Sequence, residues 1–156
     1  MTICKAKYAL LLAAVCMSAL WSGSARAALG SDAASVSVDG ASMHGDVQSE
    51  IRERYQVLKI STAAGISVRE YLNKDGIVFA VSWNGPVPPD LQRLLGEHFT
   101  TYAAALAAVD HPGVRRSLRV ESSGLILELG GHLRAYAGRA YLAALIPGGI
   151  PAAEFL

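Results

Sequence analysis

Cysteine is almost absent from this chain. There are two in 156 residues, Cys4 and Cys16, both close to the amino terminus, which is too few for a disulfide scaffold. Charge is scarce as well. Charged residues make up 17% and the formal net charge is +1, so no basic footprint for nucleic acid is present. Nor is the chain poor enough in apolar residues for disorder, since 52% are hydrophobic. It has no Gly-x-Ser-x-Gly nucleophile elbow, and Gly130-Gly131 lacks the Lys and the following helix that a phosphate-cradling loop requires. The length admits one domain of ordinary size and not two.

What the chain does have begins with an export signal. Lys5 and Lys7 form a positive end, Tyr8 to Leu20 is apolar apart from Ser18, and Ala25-Arg26-Ala27 supplies small residues where a signal peptidase needs them. The apolar run falls short of the ~20 residues that span a bilayer core. Residues 1–27 are therefore expected to be a cleaved signal peptide, leaving no stable membrane span and a periplasmic or secreted product. Cys16 does not fit a lipidation site, because Val15 precedes it and the apolar core continues beyond it. Removing 1–27 takes away Lys5, Lys7, Arg26 and both cysteines, so the mature chain holds 11 basic and 13 acidic residues and no thiol. Its stability must come from its core.

Residues 28–50 are Ala, Ser, Gly, Asp and Val without lasting period, the pattern of a flexible leader; Val36 and Val38 alternate with serines as one short strand would. One domain is expected over 51–150. Tyr55–Thr62, Ile66–Leu72 and Ile77–Trp83 are β-rich runs separated by Ala63-Ala64-Gly65 and by Asn73-Lys74-Asp75-Gly76, a strong hairpin signal. Alternation puts Ile77, Phe79, Val81 and Trp83 on one face and Val78, Ala80 and Ser82 on the other. After the prolines at 86, 88 and 89, Leu91, Leu94, Leu95, Phe99, Tyr102 and Leu106 recur at helical spacing, and the helix should end before His111-Pro112-Gly113. Ser117–Glu121 and Leu125–Leu129 alternate again, and a last strand runs from His132 to Leu142. The fold class is α+β. An antiparallel sheet of about five to six strands, made of a meander, one helix and further strands, packs on a single amphipathic helix. Residues 151–156 form a tail.

Chemistry-bearing residues are few. His44, His98, His111 and His132 include no pair at ligand spacing, so no metal and no cofactor is expected. His132 and Arg134, predicted to share a strand face after two glycines, are the best polar cluster, and Glu70 is the carboxylate an enzyme would add to them. Glu70, Asp90, Glu121 and Glu128 otherwise sit on polar faces or at a helix entry, and Arg115, Arg116 and Arg119 read as a solvated turn. Trp83 and Asn84 form an aromatic corner beside a proline-rigid loop, of the kind that anchors a ligand or partner; the competing expectation is that Trp83 caps the core. No catalytic set is assembled.

Several blocks are similar to one family: Val68-Arg69-Glu70-Tyr71, Gly76 to Pro86, Pro89-Asp90-Leu91 with Leu94-Leu95-Gly96, Gly130-Gly131-His132-Leu133-Arg134 and Gly138-Arg139-Ala140-Tyr141. The chain resembles a group of small exported proteobacterial proteins of unassigned function from about Tyr55 to Gly149. The resemblance implies a signal peptide followed by an Ala-Leu-Gly start, matched by Ala28-Leu29-Gly30, and no activity, ligand or catalytic residue. The functional expectation is a non-catalytic binding or accessory module of the cell envelope, with an envelope protein or a small ligand as partner and no nucleic acid. Exposed strand edges would allow strand addition. The alternative is a small periplasmic hydrolase or ligand-binding enzyme using His132 and Arg134.

Overall fold

The computed structural model describes residues 29–108 and 117–155. The expected signal peptide at 1–27 and the helix stop at His111-Pro112-Gly113 lie outside the described residues. The order of elements is helix α1 (Ala33–Ser42), strands β1 (Gly45–Ile51), β2 (Gln56–Thr62), β3 (Ser67–Leu72) and β4 (Val78–Gly85), helix α2 (Leu91–Leu95), a 3-10 turn (Gly96–His98), helix α3 (Phe99–Ala107), and strands β5 (Ser117–Ser122), β6 (Leu125–His132) and β7 (Ala135–Leu142). All pairings are antiparallel, in the order β1-β2-β3-β4-β7-β6-β5. Two meanders thus meet at β4 and β7 in one seven-stranded sheet, more than the five to six strands expected, because β1 adds an edge strand from within the expected leader.

The turns form where the sequence supplies residues that tolerate positive φ. Gly65 (φ 78) and Gly76 (φ 76) close the β2–β3 and β3–β4 hairpins, and the Asn73 side chain accepts the Asp75 and Ile77 backbone N–H groups at 3.0 Å each. Ser123 (φ 51) and Gly124 (φ 81) make the two-residue turn between β5 and β6.

The described part of the 28–50 leader is folded. Asp32 caps α1 by accepting the Ser35 N–H at 3.2 Å, Leu29 and Val36 enter the core, and residues 45–51 pair with β2 as an edge strand. Burial on the sheet decides for a helix where the Val36 alternation had allowed a strand. Phe79 does not share a face with Val81 and Trp83. Tyr71 faces Ala80 while Leu72 faces Val78, so Phe79 is an extra residue in β4 and everything before it changes sides. The single amphipathic helix is broken, because Gly96 sits at φ 52 and ends α2 after Asp90 has capped it. The last strand is a hairpin: the chain turns at Leu133-Arg134, with Arg134 at φ 67, and His132 pairs with Ala135.

Each face of the sheet has its own apolar cluster. On the helix side Val68, Val81, Trp83, Leu94, Leu95 and Leu127 pack with Leu29 and Val36. On the opposite side Tyr55, Tyr71, Phe79 and Tyr141 surround Phe155, which is fully buried. The segment from Ala143 to Phe155 therefore caps part of the second face, and the packed unit runs past the expected boundary at 150 to Phe155. No helix among the described residues is long and apolar enough to cross a membrane.

Candidate functional site

The face opposite the helices is built in rows, since directly paired residues project to the same side. One row is apolar and aromatic. It joins Val57, Tyr71, Ala80, Tyr141 and Ile126, and lies under the C-terminal segment. The next row is mostly cationic and only partly covered: Lys59 opposes Arg69, Arg69 opposes Ser82, which is buried, and Ser82 opposes Arg139. Arg139 faces Glu128, which faces Arg119 on the edge strand. Beyond it runs a row of small polar or Cβ-poor residues, Ser61, Ser67, Asn84, Ala137 and Gly130.

Electrostatics divide the cationic row. Glu128 is shared: Arg139 donates from Nε at 2.6 Å, and Arg119 forms an ion pair with the same carboxylate. Arg139 also donates to the Ala152 carbonyl at 2.7 Å, tying β7 to the C-terminal segment. Lys59 and Arg69 form no ion pair among the described residues, although they are half-buried and directly opposed. Like charges opposed across an antiparallel pair are destabilising.

Two hollows flank Arg69. One, of about 420 Å³, is lined by Arg69, Ser82, Asn84, Glu128, Ala137 and Arg139 among others. The other, of about 440 Å³, includes Gln48, Lys59, Arg69, Tyr55 and Glu154. The Tyr55 hydroxyl donates to Glu154 at 2.6 Å, and burial together with that carboxylate pushes the phenol up to about 12.

The residues singled out in the sequence fare differently. Trp83 is 4% exposed, and its indole fills the helix side, where a Cβ on Gly138 would come within 2.5 Å of the ring. It caps the core and does not present an aromatic anchor. Its neighbour Asn84 is exposed on the open face and lines the first hollow. His132 and Arg134 do not share a strand face; both are exposed at the β6–β7 hairpin, with the His132 Nδ1 3.2 Å from the Leu133 carbonyl oxygen. Glu70 is buried on the helix side between Leu58 and Val81, not on a polar face. These three side chains do not converge. Of the basic cluster, Arg115 and Arg116 lie outside the described residues. No group of three or more His, Cys, Asp or Glu that could hold a metal occurs among the described residues.

Glu70 is unusual in another way. Both carboxyl oxygens lack a hydrogen-bond partner, as does one oxygen of Asp39, which is buried on α1. Burial, with the Asp39 carboxylate adding to it, pushes Glu70 up to about 8. Asp39 is pushed up to about 6 by burial, against the pull of Arg93 and with a further push from Asp90. Glu70 is thus mostly protonated at neutral pH.

Sequence reasoning missed the Lys59–Arg69 row, although a register built outward from the Ala63-Ala64-Gly65 turn places those two residues opposite each other.

The family model described as "Protein of unknown function (DUF2844)" covers residues 25–155. No curated protein and no solved structure matches the chain.

Proposed function

The chain belongs to the DUF2844 family, whose description assigns no activity, and from its own geometry we propose that it is a non-catalytic binding module exported to the cell envelope. The observation that carries this reading is the half-covered sheet face. Helices seal one side and the C-terminal segment seals the aromatic row of the other, while the polar rows with their hollow of about 420 Å³ are left open. Ligand sites are typically concave, with a few placed polar groups, and Arg69, Asn84 and Arg139 are such groups. Export rests on the amino-terminal signal pattern of Lys5, Lys7 and Ala25-Arg26-Ala27.

Ala137 is exposed and lines the hollow, so Ala137→Trp fills it from a position that carries no core packing. The test is native mass spectrometry of the wild type and of this variant, each recovered from the same envelope extract. The reading predicts a bound mass on the wild type that the variant lacks. Identical spectra from the two, loaded or bare, contradict it.

A further inference from the structure

We propose that Lys59 and Arg69 form a carboxylate-binding site for an acidic saccharide, whose hydroxylated body lies along Ser61 and Asn84. The inference rests on the binding reading above and names the ligand class of that same face.

Three observations carry it. First, Lys59 and Arg69 are directly opposed and without a counter-ion among the described residues, an arrangement that an incoming anion relieves. Arg supplies a planar fork suited to a carboxylate, and Lys a point charge beside it. Second, the formal charge of each hollow fits one negative charge. In the first, Arg69 and Arg139 stand against Glu128. In the second, Lys59, Arg69 and Arg52 stand against Glu50 and Glu154, with Arg52 and Glu50 paired at 2.7 Å. A net charge of one matches a carboxylate better than a phosphate dianion, and the backbone N–H groups of this face are spent in the ladder rather than gathered into a phosphate nest. Third, the neighbouring row offers hydroxyl and carboxamide groups. Ser61 opposes Ser67 and Ser67 opposes Asn84; the Ser67 hydroxyl is itself shielded from solvent, so the row presents the half-buried Ser61 hydroxyl and the exposed Asn84 carboxamide. Such a row meets sugar hydroxyls in their own hydrogen-bonding terms.

The test titrates the protein with trigalacturonate, glucose 6-phosphate and neutral maltotriose, for wild type, Lys59→Met, Arg69→Met and, as control, Lys74→Met on the exposed hairpin. Trigalacturonate is expected to bind the wild type, to bind more weakly as salt rises, and to lose about tenfold or more in affinity in each of the first two variants but not in the control. Ligand-free, those two variants should melt no lower than wild type, which separates lost binding from lost folding; the salt dependence of the wild type is read without any variant. Absence of trigalacturonate binding at about 10 mM, or unchanged affinity in Arg69→Met, overturns the inference. Equal or tighter binding of glucose 6-phosphate overturns the choice of a carboxylate. Equal binding of maltotriose overturns the anion site and leaves the open face standing. A native adduct lost in Ala137→Trp but kept in Arg69→Met also overturns this inference alone, whereas one kept in Ala137→Trp overturns the binding face itself.

Discussion

Glu70 shows how far one residue can depart from its expected place. It lies two positions from Val68 and two from Leu72, and strand alternation puts all three on the helix side, so its burial follows from the periodicity that also buries its neighbours. The consequence is a linkage between pH and stability. An acid whose folded value is raised, from 4.5 to about 8 for Glu70 and from 3.8 to about 6 for Asp39, binds more protons folded than unfolded across that interval. Stability is then full below the unfolded values and falls as pH rises through the folded ones. Urea midpoints should drop between about pH 5 and pH 8, by a free energy on the order of 3 kcal/mol after allowance for the coupling of the two groups. Glu70→Gln, which cannot ionise, should flatten most of that slope and be the more stable protein at the alkaline end. Parallel profiles for the two proteins would contradict the buried-carboxyl account.

At the level of elements, local chemistry was legible and long-range packing was not. The Asp75-Gly76 turn, the Ser123-Gly124 turn and the Asp90 cap can be read from residue type, because each needs only a positive φ or a side-chain acceptor at a fixed position. The Phe79 bulge could not be read, since it is a property of the β3–β4 pairing rather than of β4. Helix α1 was hidden for a similar reason. Its Ala-Ser-Val sequence has weak intrinsic preference, and what fixes it is the seat that Val36 and Asp39 find on the sheet. Strand β1 carries almost no apolar signal because it is an edge held through its backbone. The C-terminal segment likewise shows its role only when Phe155 is seen against Tyr71 at 5.3 Å and Phe79 at 5.4 Å between ring centroids. Phe155→Ala should therefore cost about 3–5 kcal/mol and raise the binding of an apolar dye, with far-ultraviolet dichroism retained. A loss below about 1 kcal/mol would mean that the segment does not cap the aromatic row.

The whole molecule is a sheet with two unequal coverings. Helices α1 to α3 lie over one face, and a short irregular segment lies over part of the other. That asymmetry leaves a polar floor flanked by cations, whereas the amino-acid sequence by itself points to Trp83 and the β6–β7 hairpin. A row of side chains drawn from different strands has no signature along the chain; it exists only once register is set. Asn84 was legible because it follows the aromatic that marks the strand end, while Arg69 was visible only as part of a resemblance block. The central claim is that this uncovered half is where the protein does its work. Its most direct test is a chemical-shift map of the isotopically labelled protein titrated with unfractionated envelope extract. The account predicts that the amides of Lys59, Arg69, Ser82, Asn84, Ala137 and Arg139 move together as one contiguous patch. Shifts confined to the outer edge of β1 or to the helix side, or no shifts at all, would contradict it.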